Sequence, residues 1–349
     1  MRFITVTLNP CIDKTYRFDR PIVTGEVNRP VSVTVTPGGK GINVAEALFE
    51  LIRDDVEKGG KIGFDRVFPI FFAGGDSGRA LSSMIESTDL LRIAEFGCSN
   101  VVLPLPDGEQ TRTCIKLMGS DGSVTEINEL GARLDDGSLE LLIGTLTDMI
   151  QDGEKPVVLL CGSIPQGVET GVYNLLITLL KGCGITVVLD CSGEPLKEGI
   201  KASPDLIKPN LEELSYLAGR SLDYETEAVE FSKELFNSYG CEVLCTNGGK
   251  GAFFVGESGV TFARINTVST GEADTGENAG GAVGCGDTFL AAFVSVYYKG
   301  STKTVEDSMR LAVSAGKAAA DEFNRWGGVS IPSGEKMRAF TDQVEIRKI

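Results

Sequence analysis

Short runs of apolar and β-branched residues alternate with longer amphipathic stretches along most of this 349-residue chain. Residues 3–8, 67–72, 157–161, 186–190, 206–207 and 243–246 are short, apolar and bounded by turn residues, the pattern of strands buried on both faces. Between them, residues 41–52, 78–85, 139–150, 172–181, 211–217 and 226–239 carry apolar positions at helical spacing. This alternation predicts right-handed βαβ units and a mostly parallel sheet covered by helices on both sides. Residues 15–36 and 111–128 break the pattern, alternating polar and apolar positions as half-exposed antiparallel strands do. If they pair, they form a small sheet projecting from the main layer. Such a sheet beside a crevice is a natural lid, and its uncovered face favours dimerisation. The expected organisation is an α/β core of residues 1–13, 38–105 and 131–349, with a β lid of 14–37 and 106–130 that doubles as a dimer clasp. Residues 53–65 read as a polar surface insertion. Residues 269–281, rich in Gly, Thr and acidic side chains, read as an unusual connection.

Composition narrows the function classes. Apolar residues make up 42% and charged residues 23% of the chain, as in an ordinary globular protein. A formal net charge of −16 argues against nucleic acid or an anionic membrane as partner. It also means that a phosphorylated ligand needs a locally basic pocket. No window has the apolar length of a membrane helix. The nine cysteines lack paired spacing and histidine is absent, which argues against a zinc site and, with no export signal at the start, predicts reduced thiols in a cytoplasm. Without histidine, acid–base chemistry falls to carboxylates, Lys, Cys and Tyr.

Near the C-terminus, Gly284-Cys285-Gly286-Asp287 leads into the apolar segment Thr288-Phe289-Leu290-Ala291-Ala292-Phe293. A glycine turn opening a helix offers unpaired N–H groups and the positive end of the helix dipole to an anion. Asp287 at that junction is placed to take a proton from a hydroxyl attacking the bound group, as phosphoryl transfer to an alcohol requires. An ordinary Asp cap after a glycine turn gives the same local sequence. Cys285 reads either as a thiol activated at a helix N-terminus or as a small filler.

A second glycine-rich loop, Pro37-Gly38-Gly39-Lys40-Gly41-Ile42-Asn43, also opens a helix. Together with Thr7-Leu8-Asn9-Pro10-Cys11-Ile12-Asp13, Gly25-Glu26-Val27-Asn28-Arg29, Cys161-Gly162-Ser163-Ile164-Pro165, Leu189-Asp190-Cys191 and Ile207-Lys208-Pro209-Asn210-Leu211-Glu212-Glu213, these signatures resemble the ribokinase-like carbohydrate kinases, the PfkB family. The resemblance covers nearly the whole chain. It implies a three-layer α/β/α sandwich with a β lid, a homodimer, and ATP-dependent phosphorylation of a sugar phosphate with Mg²⁺. Fructose 1-phosphate is the first expectation, followed by tagatose 6-phosphate, fructose 6-phosphate or an unphosphorylated sugar. A degenerate relative that only binds ligand is the alternative of another class.

The resemblance also implies residue roles. Asp13 would hold sugar hydroxyls, with Gly38, Gly39, Asn43 and Ser163 lining the sugar. Lys40 and Arg112 would meet the substrate phosphate. Gly284, Cys285 and Gly286 would form the anion cradle around the base Asp287. Lys208, Asn210, Glu213, Thr246, Gly248, Gly251 and Gly316 would line the nucleotide, with Asn210 and Glu213 organising Mg²⁺ through water. On the residues alone, Asn210 and Glu213 also read as a helix capping pair, and Arg112 as a solvated strand arginine. Ala282 and Val283 stand where the family carries threonine and valine, which removes one hydroxyl from the phosphate site.

Overall fold

β1 (Arg2–Thr7) is apolar or β-branched after its first residue and buried at every position, so it belongs inside a sheet covered on both faces. The computed structural model, which describes residues 1–59, 66–87, 99–151, 154–265, 284–299, 304–326 and 330–349, places it within a ten-stranded sheet. The chain turns at once into β2 (Cys11–Arg17) and then β3 (Ser32–Gly38), before α1 (Lys40–Glu57) carries it back to β4 (Arg66–Ala73). α2 (Gly75–Ser87), β5 (Val101–Pro104), β6 (Arg112–Met118), β7 (Val124–Asn128) and α3 (Asp136–Gln151) follow. Next come β8 (Val157–Cys161), α4 (Val172–Gly182), β9 (Thr186–Asp190), α5 (Gly193–Ile200), β10 (Leu206–Ile207), α6 (Leu211–Ala218), α7 (Glu227–Tyr239) and β11 (Glu242–Thr246). β12 (Ala252–Gly256), β13 (Gly259–Ile265), α8 (Cys285–Tyr297), α9 (Val305–Trp326), α10 (Gly334–Arg338) and β14 (Val344–Lys348) complete the described elements.

The main sheet runs β5-β4-β1-β8-β9-β10-β11 in parallel and continues as the antiparallel strands β12, β13 and β14. One core lies under α1, α8 and α9, where Leu48, Phe49, Phe289, Phe293 and Met309 pack. The other lies under α4 to α7, around Tyr173, Leu176, Leu196, Leu214 and Val229. This is the three-layer, ribokinase-like sandwich expected from the sequence. α8 is apolar all round and buried from Asp287 to Val296, as a helix held between sheet and outer helices must be.

The chain leaves β1 toward β4 on one side and β8 on the other, so the order switches direction beside β1. In open α/β sheets, the carboxyl ends of the strands at such a point form the ligand crevice. The small sheet, in the order β3-β2-β6-β7, rises from that edge. Its central pair is parallel, not antiparallel as the alternation suggested. The reason is topological: β2 and β6 both follow strands of the parallel sheet and leave it from the same end. Residues 53–57 continue α1 instead of starting an insertion. Residues 60–65 and 269–281, and with them Ala282 and Val283, lie outside the described residues.

Candidate active site

The two glycine loops meet at the crevice. Gly284 caps α8 with φ 88, a left-handed conformation that glycine adopts without strain. The helix that follows presents the first-turn amides of Cys285, Gly286 and Asp287, which have no partner within the helix. Asp287 is 6% exposed, and its Oδ2 accepts a 2.8 Å hydrogen bond from Asn43 Nδ2 of α1. The loop expected to touch sugar therefore also orients the expected base. Burial and the nearby Asp190 carboxylate push the Asp287 carboxyl up to about 6, against the pull of Lys40, the Asn43 hydrogen bond and Lys208. A carboxylate with that value is matched to proton abstraction near neutral pH.

Behind Asp287 lies a charged cluster that the sequence did not reveal. Asp190, the last residue of β9, is fully buried, and its Oδ1 pairs with Lys40 Nζ at 3.0 Å and Lys208 Nζ at 3.3 Å. Burial opposes ionisation of Asp190, but the two ammonium groups hold its carboxyl below the usual range. Lys40 is held above its ordinary value; burial works against its charge, and Asp190, Asp287 and Glu213 outweigh it. A Cβ added at Gly286 would lie 3.5 Å from Lys208 Nζ, so Lys208 sits directly beneath the amide cradle. Both lysines expected at phosphates are thus in the crevice, shared through one carboxylate.

The sugar-side residues gather on the small sheet. Asp13 in β2 is buried and pairs with Lys116 Nζ of β6 at 3.2 Å. Gly38 in β3 lies opposite Cys11, and a Cβ there would fall 2.6 Å from Asp13 Oδ2, so only glycine leaves room for the carboxylate. Gly39 is the N-cap of α1 and brings Lys40 and Asn43 into the same crevice. Arg112, first in β6, donates through Nε and Nη2 to the Asn9 carbonyl and through Nη1 to the Glu129 carbonyl. Its Nη2 also donates to Ser163 Oγ at 3.3 Å, which Asn9 Nδ2 reaches as well. A cleft of about 650 Å³ borders Arg112, lined also by Glu109, Gln110, Glu129 and Gln166; Asp13 and Asp287 do not line it, so it is an approach to Arg112, separate from the crevice that holds Asp287. Asn9 and Lys116 were not singled out from the sequence. The signal for Lys116 is present in the alternation Arg112, Cys114, Lys116 on one strand face.

On the other side, Asn210 caps α6 in a reciprocal capping box: its Oδ1 accepts from Glu213 N at 2.7 Å, and Glu213 Oε2 accepts from Asn210 N at 2.9 Å. The capping reading of this pair holds. Thr246 ends β11 alongside Asn210, and Gly248 and Gly251 bound the short turn that follows. Gly316 of α9 faces Phe289 and the Cys285 carbonyl, next to the start of α8. Of the two readings of Cys285, the small filler is favoured: burial, with Asp287 and Asp321 adding to it, pushes its thiol up to about 12, against activation by the helix start.

Residues 6–324 match the pfkB family of carbohydrate kinases. The chain belongs to this family. As a pfkB-family carbohydrate kinase it is a phosphotransferase, in keeping with an aspartate at an amide cradle. It is 32% identical over 314 residues to 1-phosphofructokinase of Haemophilus influenzae, covering 89% of each chain. It is 28% identical over 324 residues to 1-phosphofructokinase of Borreliella burgdorferi, covering 92% of each. In fold it is similar to phosphofructokinase-2 of Escherichia coli, solved in complex with substrates and products, with a TM-score of 0.77 and 24% identity over 98% of this chain and 99% of that one. No described helix of this pfkB-family kinase is long and apolar enough to cross a membrane.

Proposed function

We propose that this kinase transfers the γ-phosphoryl group of ATP to a sugar phosphate, with D-fructose 1-phosphate giving fructose 1,6-bisphosphate as the preferred reaction. The observation that carries the reading is the buried Asp287, tuned to about 6 and oriented by Asn43 at the amide-bearing start of α8. Two 1-phosphofructokinases among the relatives support the substrate choice.

Asp13 holds hydroxyls of the sugar, and Arg112 and Lys40 meet its phosphate, with Gly38, Gly39 and Ser163 shaping the site. Asp287 takes the proton of the attacking hydroxyl as the new oxygen–phosphorus bond forms and the bond to the leaving ADP breaks. The amides of Gly284, Cys285 and Gly286, with Lys208 beneath them, stabilise charge on the group in transit. Thr246, Gly248, Gly251 and Gly316 line the nucleotide. Asn210 and Glu213 offer only oxygen donors to a cation, which suits Mg²⁺. Each already spends one oxygen on the capping box, which fits contact through water. Bound there, Mg²⁺ would neutralise phosphate charge. The small sheet acts as the lid, and its exposed Val33, Val35 and Ile127 are covered by a second copy in a homodimer.

A coupled ADP-release assay over fructose 1-phosphate, fructose 6-phosphate, tagatose 6-phosphate and fructose tests the reading. The highest kcat/KM is expected on fructose 1-phosphate. Preference for another acceptor corrects the substrate, and no turnover on any of them above the Asp287→Asn background overturns the reading.

A further inference from the structure

The fold brings together three metal-ligating groups that the sequence separates. β2 and β6 run in parallel with Cys11 opposite Arg112 and Asp13 opposite Cys114. Cys11, Asp13 and Cys114 are all buried, and their ligand atoms lie within 4.8 Å of one another. No other such trio occurs among the described residues. Cys11 Sγ is 3.7 Å from Asp13 Oδ1. Only a glycine at 38 admits this grouping, since a Cβ there would fall 2.7 Å from Cys11 Sγ and 2.6 Å from Asp13 Oδ2.

We propose that Cys11, Cys114 and Asp13 bind a thiophilic divalent cation of the Zn²⁺ and Cd²⁺ class, and that occupancy blocks the sugar site. Two sulfurs and one carboxylate oxygen form a donor set for such ions, whereas Mg²⁺ takes oxygens. Three protein ligands leave a fourth tetrahedral position to water. Metal–ligand bonds of about 2.0–2.3 Å put tetrahedral ligands about 3.5–3.8 Å apart, so the three atoms need to close by no more than about 1 Å. Each thiol releases its proton to solvent as its sulfur–metal bond forms, and no electron changes hands. The two cysteines are offset by two residues along their strands, an arrangement that favours sharing an ion over closing a disulfide.

Lys116 and Arg112 are the cations facing the trio. Lys116, 3.2 Å from Asp13 Oδ1, must yield that oxygen to an incoming ion. Its competition makes the site reversible and inhibitory, unlike a closed structural site. The inhibitory half rests on the assignment of Asp13 to the sugar; the binding half does not. The expectation of no zinc site considered spacing along the chain, and these cysteines are brought together only by strand pairing.

The test uses the reduced full-length protein, free of phosphate, titrated with Cd²⁺ alone and followed by thiolate-to-metal charge-transfer absorption. Saturation at one equivalent is expected, unchanged in Cys183→Ala. Affinity should fall by more than about 10-fold in both Cys11→Ala and Cys114→Ala, at least what loss of an outer partner costs a metal site. Lys116→Met should tighten binding, a result that misfolding cannot mimic. An absorption band that survives both cysteine variants, or a Lys116→Met variant that binds no tighter, overturns the site. Fructose 1-phosphate, compared with glycerol phosphate, should weaken Cd²⁺ binding. If it does not, the inhibitory half fails. Failure of the kinase reading itself would show separately, as lack of turnover in metal-stripped enzyme supplied only with Mg²⁺ and ATP.

Discussion

Asn43 and Asp287, 244 positions apart in the chain, are joined by a 2.8 Å hydrogen bond from the amide of one to the carboxylate of the other. The bond ties the first glycine loop to the second and favours the ionised form of Asp287.

Asp287→Asn should lower kcat by about 10²–10⁴-fold, the contribution of a positioned base, while KM values change little. Because the carboxylate is the active form and its value is about 6, wild-type kcat/KM should fall as pH drops through 6. Asn43→Ala removes an interaction that favours the carboxylate, so the acidic limb should move to higher pH. An unmoved limb in that variant would mean that Asp287 is not the titrating group.

Asp190→Asn should act in two ways. It leaves the buried Lys208 and the partly exposed Lys40 without their shared counter-charge, which should lower the denaturation midpoint. It also removes the like charge beside Asp287, so the acidic limb should shift to lower pH in the surviving folded enzyme. A limb displaced upward would contradict the arrangement.

Arg112→Lys keeps the charge but loses the planar fork that reaches Asn9, Glu129 and Ser163. KM for the phosphorylated sugar should rise by about 10-fold or more, with little change in KM for ATP. Equal effects on both substrates would assign Arg112 a purely structural role.

The thiol of Cys285 should label slowly. Its value of about 12 leaves little thiolate at pH 7.5, so iodoacetamide should modify the exposed Cys183 well before Cys285. Mass spectrometry of time-resolved digests would report the order, and faster modification of Cys285 would restore the activated-thiol reading.

Val33→Glu with Val35→Glu places two charges on the exposed face of the small sheet. Light scattering should show the mass halve, with the melting temperature nearly unchanged. An unchanged mass would move the interface elsewhere or remove it.

Much of this was readable from the chain. β1, β8 and β9 are short β-branched runs that fit only a doubly covered sheet, and Gly284 followed by Asp287 marked the start of α8. β12 to β14 escaped notice for different reasons. β12 follows a glycine turn without a helical crossover, and β14 alternates charged residues on a sheet edge, so its strand character comes from pairing with β13. Asp190 stood within a quoted signature but was given no role, because its meaning depends on Lys40 arriving from 150 residues away. Cys285 left two readings open, because a helix start lowers a thiol value while its surroundings raise it, and here desolvation wins.

The carboxylate of Asp190, set between Lys40 and Lys208, has a kinetic corollary. It cancels part of the positive charge that would otherwise reach out of the crevice, inside a protein that carries −16 overall. Polyanionic substrates therefore approach a repelling surface and feel attraction only at close range. Added inert salt should accelerate their capture, the reverse of the electrostatic steering found where a basic funnel guides an anion home.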